Sequence, residues 1–246
     1  MAKRFFVNNL PLSVEQELTV SNLDLVRHFL SLRVKAQDFV YLFNGDSFDY
    51  RALVLSVNKK TVTLFIKDCK ANNYVLPVTI NLILSLVQKD SFELALQKSV
   101  ELGVNSITPI YTDFSQRIDQ SRLAARLLRW QQIIISACEQ SNRNQLPSIS
   151  YPLTIGSIVD NMVVDHANHK VCNIVCDCSG DKSLNSLNLN NYQAINLLIG
   201  PEGGFSKFEL ESLSSWYQVR LGRNILRAET ACIVGLGCLL QKLDVF

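Results

Sequence analysis

The chain has 246 residues, of which 48% are hydrophobic and 19% are charged, and its formal net charge at pH 7 is +2. This composition indicates a globular protein with one large or two modest domains. The near-neutral charge excludes a protein whose overall positive field attracts nucleic acid, so any nucleic-acid partner would need local basic patches.

The sequence gives no sign of a membrane or export signal. No run of eighteen apolar residues occurs, and the N-terminal residues lack a long apolar core. Seven cysteines, an odd number without the spacing of a disulfide framework, favour reduced thiols. We therefore expect a cytoplasmic protein.

Residues 4–68 have the pattern of short strands. Strands are predicted at 39–43, 50–57 and 61–66, with turn signals at 44–46 and 58–60. This pattern predicts a small β-barrel, interrupted by a polar helix that carries Arg27, His28, Arg33 and Lys35.

The composition changes at residues 69–78, and a proline there marks a linker. We predict a first domain over 1–70, a linker over 71–78 and a second domain over 79–246. The second domain opens with an apolar strand at 80–87, followed by a helix that ends near Gly103. Asp90 and Glu93 are predicted to form the capping box of this helix.

A third strand is predicted at 107–111 and a long amphipathic helix at 121–140. Arg122, Arg126 and Arg129 share one face of this helix. The stripe is either a solvated face or, if Arg143 lies on the same side, a contact with an RNA backbone.

Cys172, Cys176 and Cys178, with His166 and His169 upstream, suggest a metal site at first sight. No C-x-x-C pair occurs among them, and structural zinc sites use such pairs, so we expect no metal. The segment 173–177 is instead predicted to be a strand, whose end at 177–180 could supply a loop to a pocket.

The richest stretch begins with an apolar strand at 195–199, which is typical of a parallel sheet buried on both faces. A glycine loop follows at 200–204, and then a helix start with the capping box Ser206 and Glu209 and the hydrophobic staple Phe205 and Leu210. A shorter strand at 217–221 leads into a second glycine-bearing loop at 221–227. Because ligands bind at the carboxyl ends of parallel strands, these loops predict a pocket.

The loops match neither of the common phosphate-binding motifs, G-x-x-x-x-G-K-[ST] and G-x-G-x-x-G. A neutral pocket lined by backbone suits an adenosine-containing ligand. The final helix, 228–243, carries small residues that allow close approach of the protein's own core or of a second subunit.

Several motifs together resemble a known family. The segments GPEGGFS at 200–206 and LGRNILRAET at 221–230 resemble the signature of the SPOUT superfamily of RNA methyltransferases. They are most similar to the family that methylates N3 of a uridine in 16S ribosomal RNA. Further similar segments, which extend the likeness over most of the chain, are RFF at 4–6, LR at 32–33, FNG at 43–45, ELGV at 101–104 and EQSNR at 139–143. Gln37 stands where the family usually has glycine.

The resemblance implies an α/β fold, with a C-terminal SPOUT domain that has a parallel sheet and a trefoil knot, and an N-terminal PUA-like barrel that binds RNA. It also implies S-adenosyl-L-methionine as the cofactor, a homodimer, and 16S ribosomal RNA, within the small ribosomal subunit, as the partner.

The resemblance further implies roles for particular residues. Cofactor contacts would come from Leu198, Ile199, Gly200, Pro201, Gly203, Leu221, Gly222, Ile225 and Leu226. Arg227 would stabilise charge and orient the substrate. Glu229 is the candidate base, although a carboxylate in the first turn of a helix is also favoured by the helix dipole. Glu202 has the same ambiguity.

Contacts with RNA are implied for Arg4, Arg27, Arg33, Lys98, Glu101, Glu139, Gln140 and Arg143. The arginines of the barrel could equally be solvated, and Lys98 and Glu101 could simply form a surface ion pair. Two other functions remain open: a non-catalytic RNA-binding protein that uses the domain for dimerisation, and a SPOUT methyltransferase that acts on another RNA position.

Overall fold

The computed structural model describes residues 3–8, 10–72, 76–165 and 170–245, with the backbone alone at 161–165. The chain forms two compact units. Unit 1 comprises Met1–Tyr74 and Cys138–Leu146, and unit 2 comprises Val75–Ala137 and Pro147–Phe246. The predicted linker at 71–78 falls partly on residues 73–75, which lie outside the described residues. The predicted domain boundaries stay a prediction.

The described residues form both strands and helices, which alternate through most of unit 2. The strands are β1 Arg4–Phe6, β2 Glu17–Val20, β3 Phe39–Phe43, β4 Phe48–Val57, β5 Val62–Ala71, β6 Thr79–Ser85, β7 Ser106–Tyr111, β8 Ser148–Ile149, β9 Leu153–Thr154, β10 Val171–Cys176, β11 Lys182–Ser183, β12 Ala194–Ile199 and β13 Tyr217–Arg220. The helices are α1 Leu23–Ser31, α2 Lys89–Glu101, α3 Gln120–Ser141, α4 Ile155–Asp165, α5 Lys207–Ser212 and α6 Ala228–Lys242, with one 3-10 turn at Leu184–Ser186.

Unit 1 is built on a five-stranded sheet with the strand order β1-β3-β4-β5-β2. The pair β1 and β3 is parallel, and the other pairs are antiparallel. Alternate residues of β4 and β5 are buried, as expected for a sheet with one face on a core. Helix α1 closes this core, and the ring of its Phe29 stacks on the ring of Phe5 in β1 with centroids 3.7 Å apart.

Several residues of unit 1 have a left-handed backbone, among them Gly45 and Gln37. Gly45 has φ +95°, which glycine adopts without steric cost. Gln37 has φ +72°, so this residue adopts the conformation for which glycine is preferred. The left-handed backbone at position 37 is therefore a physical reason for the glycine that the resembled family usually has there.

The end of α3 and the residues after it complete unit 1. The Glu139 carboxylate accepts the Phe6 backbone N–H at 3.0 Å and lies 2.8 Å from His28 Nε2. The amide of Asn72 donates to the Asn142 carbonyl at 3.0 Å. Unit 1 thus depends on side chains and backbone groups from two distant parts of the sequence.

Unit 2 is an α/β unit whose eight-stranded sheet has the order β11-β13-β10-β12-β6-β7-β8, with β9 also paired to β7. All of these pairs are parallel. The strands predicted at 195–199 and 217–221 are confirmed as β12 and β13 within one residue at each end. Five of the six residues of β12 are buried, which agrees with a strand covered on both faces.

A ladder of polar side chains crosses the centre of this sheet. Asn196 donates to Asn173 at 2.7 Å, and Asn81 donates to Asn196 at 2.9 Å. Ser106 then donates to Asn81 at 2.7 Å. These residues occupy matching positions in β10, β12, β6 and β7, so their hydrogen bonds favour one register of the four strands.

Helices α2 and α6 pack together, with Cys232 Sγ 3.0 Å from Ser99 Oγ. The capping box predicted for α2 at Asp90 and Glu93 is wrong. The helix begins at Lys89 with Gln88 at the N-cap, and this cap makes no side-chain hydrogen bond. The Glu93 carboxylate instead accepts hydrogen bonds from Nε and Nη2 of Arg129, at 3.2 and 3.0 Å.

Within the described residues, no helix combines the length and apolarity that crossing a membrane requires.

Candidate functional site

Three loops of unit 2 meet at the carboxyl edge of the sheet. Strands β13, β10 and β12 are adjacent and parallel, so the loops that follow them lie side by side. Together with the start of α6 they line a cavity of about 250 Å³. The lining consists of residues 176–178, 199–202, 204–205, 220–226, 228 and 231.

The loop after β12 is held by the start of α5. Ser206 and Glu209 form the predicted capping box: Ser206 N–H donates to Glu209 Oε2 at 2.9 Å, and Glu209 N–H donates to Ser206 Oγ at 3.3 Å. The other carboxylate oxygen of Glu209 accepts the Asp113 N–H at 2.8 Å. One buried carboxylate therefore ties this loop to the loop after β7.

Glycines let this loop lie close to its neighbours. A Cβ on Gly200 would come within 2.8 Å of the Phe205 ring, and Gly204 has φ +71°. Phe205 is buried and packs in the same hydrophobic cluster as Leu210, as the staple predicts. The conformation of this loop is thus fixed by the packing of Phe205 against Gly200 and by the left-handed backbone at Gly204.

The loop after β10 lies against the backbone of β13. Asp177 N–H donates to the Val219 carbonyl at 3.0 Å. A Cβ on Gly180 would lie 2.8 Å from the Val219 carbonyl carbon, so only glycine allows this approach. By contrast, a Cβ on Gly222 would meet no atom within 4 Å. Gly222 therefore borders open space in the lining of the cavity.

Most of the residues predicted to contact a cofactor lie in this lining, namely Ile199, Gly200, Pro201, Leu221, Gly222, Ile225 and Leu226. The two others do not. Leu198 is buried in the core of β12, and a side chain at Gly203 would face Phe114 at 3.1 Å.

Sequence reasoning suggested the loop at 177–180 but did not select Cys176, Arg220, Arg223 or Ala231. Arg220 directly precedes the second glycine loop and Arg223 lies within it, so the loop itself was a usable signal. Cys176 and Ala231 reach the cavity only through the pairing of distant strands and helices.

The two predicted catalytic residues lie at the start of α6 but are absent from the lining of the cavity. Arg227 is exposed and forms the N-cap, where its carbonyl accepts the Ala231 N–H at 2.8 Å. Glu229 is only 8% exposed, and within the described part of the chain its Oε2 has no hydrogen-bond partner. Both flank Ala228, which lines the cavity.

The predicted RNA contacts in the first part of unit 1 differ in their surroundings. The Arg4 guanidinium pairs with the Asp49 carboxylate at 2.8 Å and lies 5.0 Å from the Phe43 ring centroid, with 5% of its side chain exposed. Arg27 is exposed and lies 3.3 Å from Asp24. Arg33 is exposed in the turn after α1, with φ +53°.

The remaining predicted RNA contacts lie at helix ends. Glu139 is engaged with Phe6 and His28, whereas Gln140 is exposed. Burial lowers the pKa of Arg143. Lys98 and Glu101 form an ion pair at 2.8 Å near the end of α2, as expected for charges three residues apart on a helix.

The described residues contain no group of three histidine, cysteine, aspartate or glutamate side chains arranged to hold a metal ion. His166 and His169 lie outside the described residues. Burial raises the pKa of the Cys172 and Cys232 thiols to about 12, so both are neutral near pH 7.

Comparison with known proteins adds to this geometry. A family model described as the RNA methyltransferase domain matches residues 75–240. The chain is 32% identical to the ribosomal RNA small subunit methyltransferase E of Mesomycoplasma hyopneumoniae, over 94% of this chain and 95% of that protein. It is also 32% identical to the protein of the same name from Buchnera aphidicola subsp. Schizaphis graminum, over 86% of this chain and 85% of that one.

The fold has a similar counterpart among solved structures. The crystal structure of a ribosomal RNA small subunit methyltransferase E from Neisseria gonorrhoeae, bound to S-adenosyl methionine, matches with a TM-score of 0.88 and 30% identity. The match covers 98% of each chain.

Proposed function

Because this chain belongs to the ribosomal RNA small subunit methyltransferase E family of RNA methyltransferases, we propose that it methylates N3 of a uridine in 16S ribosomal RNA, with S-adenosyl-L-methionine as the methyl donor. The observation that carries the proposal is the cavity at the carboxyl edge of β10, β12 and β13. The related Neisseria gonorrhoeae protein was crystallised with S-adenosyl methionine bound.

The residues of the cavity suit this cofactor. The lining is formed largely by loop residues, and Gly222 places no side chain in the open space. Backbone N–H and C=O groups of such loops can recognise the hydrogen-bonding edges of an adenine and a ribose, while Ile199, Leu221 and Leu226 provide apolar walls. The fit therefore rests on shape, apolar contact and hydrogen bonding.

When bound, S-adenosylmethionine supplies a methyl group that is already activated for transfer. The protein has to align the uridine nitrogen with that group and remove the proton on N3. The N3 lone pair then forms the new bond to carbon as the carbon–sulfur bond breaks. Negative charge that develops on the flanking carbonyl oxygens of the base needs a cation or hydrogen-bond donors nearby.

We assign that cation to Arg227, and its exposure at the start of α6, next to the cavity-lining residues Leu226 and Ala228, supports the assignment. Arg223 lines the cavity and can add positive charge. Two carboxylates are candidate bases. Glu229 is adjacent to the cavity but buried, and Glu202 is exposed in the lining.

We extend the proposal to the assembly. A cavity of about 250 Å³ lies below the range of roughly 300–1,000 Å³ that is usual for small-molecule pockets. The side chain of Ile225 at its rim is 80% exposed. Both features favour a homodimer in which a second copy covers the rim and completes the enclosure.

The remaining parts of the proposal rest on family resemblance. Unit 2 is proposed to contain the trefoil knot of SPOUT proteins. The sheet of unit 1 is proposed to be a PUA-like barrel that orients RNA, through contacts such as Arg27 and Arg33. The substrate is proposed to be 16S ribosomal RNA within the small ribosomal subunit, in the cytoplasm.

Two measurements test the function. Calorimetry with S-adenosylmethionine should show saturable binding. Mass spectrometry of nucleosides from the RNA of a deletion strain should show loss of 3-methyluridine, which returns on complementation with the wild-type chain. An unchanged nucleoside pool, or the absence of cofactor binding, would refute the assignment.

A further inference from the structure

A second and larger concavity lies on unit 2, next to the cofactor cavity. It is a groove of about 1100 Å³ between the segment 181–192 and strand β13. Arg220, at the end of β13, lines both the groove and the cavity. The two concavities therefore adjoin through one arginine, and a ligand in the groove lies next to any substrate that enters the cavity.

Two tyrosines form the aromatic part of the groove. The hydroxyls of Tyr192 and Tyr217 lie 3.5 Å apart, although Tyr192 precedes β12 and Tyr217 begins β13. The Lys182 ammonium is 5.4 Å from the centroid of the Tyr217 ring, and Tyr217 is 37% exposed. Aromatic rings and a cation thus face the same open space.

The rest of the groove is polar and carries more positive than negative charge. Asn188 and Asn191 contribute side-chain amides, which can pair with the edges of nucleobases. Lys182 and Arg220 provide two cations, against one carboxylate at Asp181. This mixture disfavours an apolar helix or a lipid as the occupant, because both need a continuous hydrophobic surface.

The same mixture matches the chemistry of single-stranded RNA. Unpaired bases stack on aromatic side chains, and their backbone is held by lysine and arginine. A base whose N3 is to be methylated must be unpaired, and where it lies in a single-stranded segment its neighbours are accessible as well. The groove has the size and the position to receive those neighbours.

We propose that this groove binds the nucleotides that flank the target uridine, with a base stacked against Tyr192 and Tyr217 and a phosphate held by Lys182 and Arg220. The inference rests on the proposed function, since it names the site for the rest of the same RNA substrate. The groove then sets which sequence context of the uridine is methylated.

The test compares three tyrosine variants and one lysine variant with the wild type. Tyr192→Ala with Tyr217→Ala removes both rings, while Tyr192→Phe with Tyr217→Phe keeps the rings and removes only the hydroxyls. Tyr151→Ala is the matched control, because Tyr151 is 61% exposed and follows β8 at the opposite edge of the same sheet. Methylation kinetics on 16S ribosomal RNA, calorimetry with the cofactor, and thermal melts are measured for each.

Loss of both rings should raise KM for RNA by about tenfold or more, because stacking on an aromatic side chain contributes substantially to the binding of each base. The turnover number kcat and the cofactor affinity should stay within about twofold of wild type. The double phenylalanine variant and Tyr151→Ala should keep the wild-type KM. Lys182→Ala should reduce the slope of log affinity against log salt concentration by about one, as loss of one phosphate contact predicts.

An unchanged KM in the double alanine variant would overturn the inference while leaving the proposed function intact. A change in its sedimentation coefficient would also overturn it, because the groove would then be an interface between copies of the chain. If the wild type methylates no RNA, the proposed function fails by itself. Fluorescence anisotropy with a fluorescein-labelled single-stranded RNA then decides on the groove, since binding needs no turnover.

Discussion

Gly222 borders open space in the proposed cofactor cavity, where a Cβ would meet no atom within 4 Å. Its backbone lies outside the left-handed region, so a larger residue can be accommodated without backbone strain. Gly222→Val should therefore fold normally but fill space meant for the cofactor. We expect the affinity for S-adenosylmethionine to fall by about tenfold or more, measured by calorimetry.

Gly237→Ala in α6 is the control for that experiment. Its Cβ would likewise meet nothing within 4 Å, but Gly237 does not line the cavity. This change should leave cofactor affinity unaltered and raise the stability by up to about 1 kcal/mol, because alanine is the better helix former. Equal affinities in Gly222→Val and wild type would mean that the cavity is not the cofactor site.

Glu229 allows a direct test of the predicted base. If its carboxylate removes the N3 proton, Glu229→Gln should lower kcat by about 10²- to 10⁴-fold with little change in cofactor affinity. If Glu229 only stabilises the first turn of α6, the variant should change the melting temperature and leave kcat near the wild-type value. Glu202→Gln, in the cavity lining, should be measured in parallel, since a selective loss of kcat there would move the role to Glu202.

The residue-scale predictions succeeded where the signal was local. The glycine loops and the capping box lie within a few residues of one another, and the structure contains both. Tyr192 and Tyr217 could not be paired from the sequence, because 25 positions separate them and only the order of the strands brings them together. The contacts of Glu139 with Phe6 and His28 could not be predicted for the same reason, because more than 100 positions separate Glu139 from both residues.

At the scale of elements, α1 and the end of α3 are joined by a hydrogen-bonded pair, His28 and Glu139, in which the charge of the histidine depends on pH. The hydrogen bond to the Glu139 carboxylate raises the pKa of His28 above its ordinary value of 6.5, and burial opposes this shift. A raised pKa in the folded state stabilises the protein at pH values below 6.5, and this stabilisation is lost as the pH rises through the folded pKa.

His28→Gln should therefore lower the free energy of unfolding most at about pH 5.5, where wild-type His28 carries its charge. The difference from wild type should shrink toward pH 8.5, as the histidine loses its proton on the way through its raised pKa. Urea denaturation at the two pH values measures it. Glu139→Gln should remove most of this pH dependence, and a difference that grows with pH would contradict the assignment.

Element boundaries were predictable where apolar runs are continuous. The strand at 39–43 and the helix predicted at 228–243 match β3 and α6 to within one residue. The capping box at Asp90 was wrong because Glu93 pairs with Arg129, a partner from another helix. Strand β1 and the two-residue strands β8 and β9 are defined by their pairing and carry little pattern of their own.

At the scale of the whole molecule, unit 1 is discontinuous in sequence. A fragment of residues 1–72 lacks Glu139, which binds the Phe6 N–H and His28, and lacks the Asn142 carbonyl, which binds Asn72. We expect this fragment to melt at a lower temperature than the same fragment joined by a glycine-serine linker to residues 138–146. The gain should be about 5 °C or more, since roughly 1 kcal/mol shifts Tm by 4–8 °C in a domain of this size.

Circular dichroism melts of the two fragments measure that gain. The linked fragment with Glu139→Ala should lose most of it, because the carboxylate supplies two of the contacts. Equal melting temperatures for the short and the linked fragment would show that residues 138–146 add nothing to unit 1.

The overall architecture was predictable only in part. Runs of apolar residues indicated a parallel α/β fold, and alternating strands with turn signals indicated a separate β unit. The return of residues 138–146 to unit 1 could not be read from the sequence. Polar side chains at the end of a long helix are compatible with solvent as well as with a hydrogen-bonded interior.

Because unit 1 is made of two separate segments of the chain, it cannot be completed during translation until the second segment has been made. A nascent chain that has reached residue 72 carries every strand of the first sheet, but it has no carboxylate for Phe6 and His28 until residue 139 is translated. At elongation rates of about 5–20 residues per second, this leaves roughly 3 to 15 s in which the sheet has emerged without its last partner. Chaperones that act at the exit tunnel therefore meet an unfinished N-terminal unit, which is complete in sequence only once residues 138–146 have been translated.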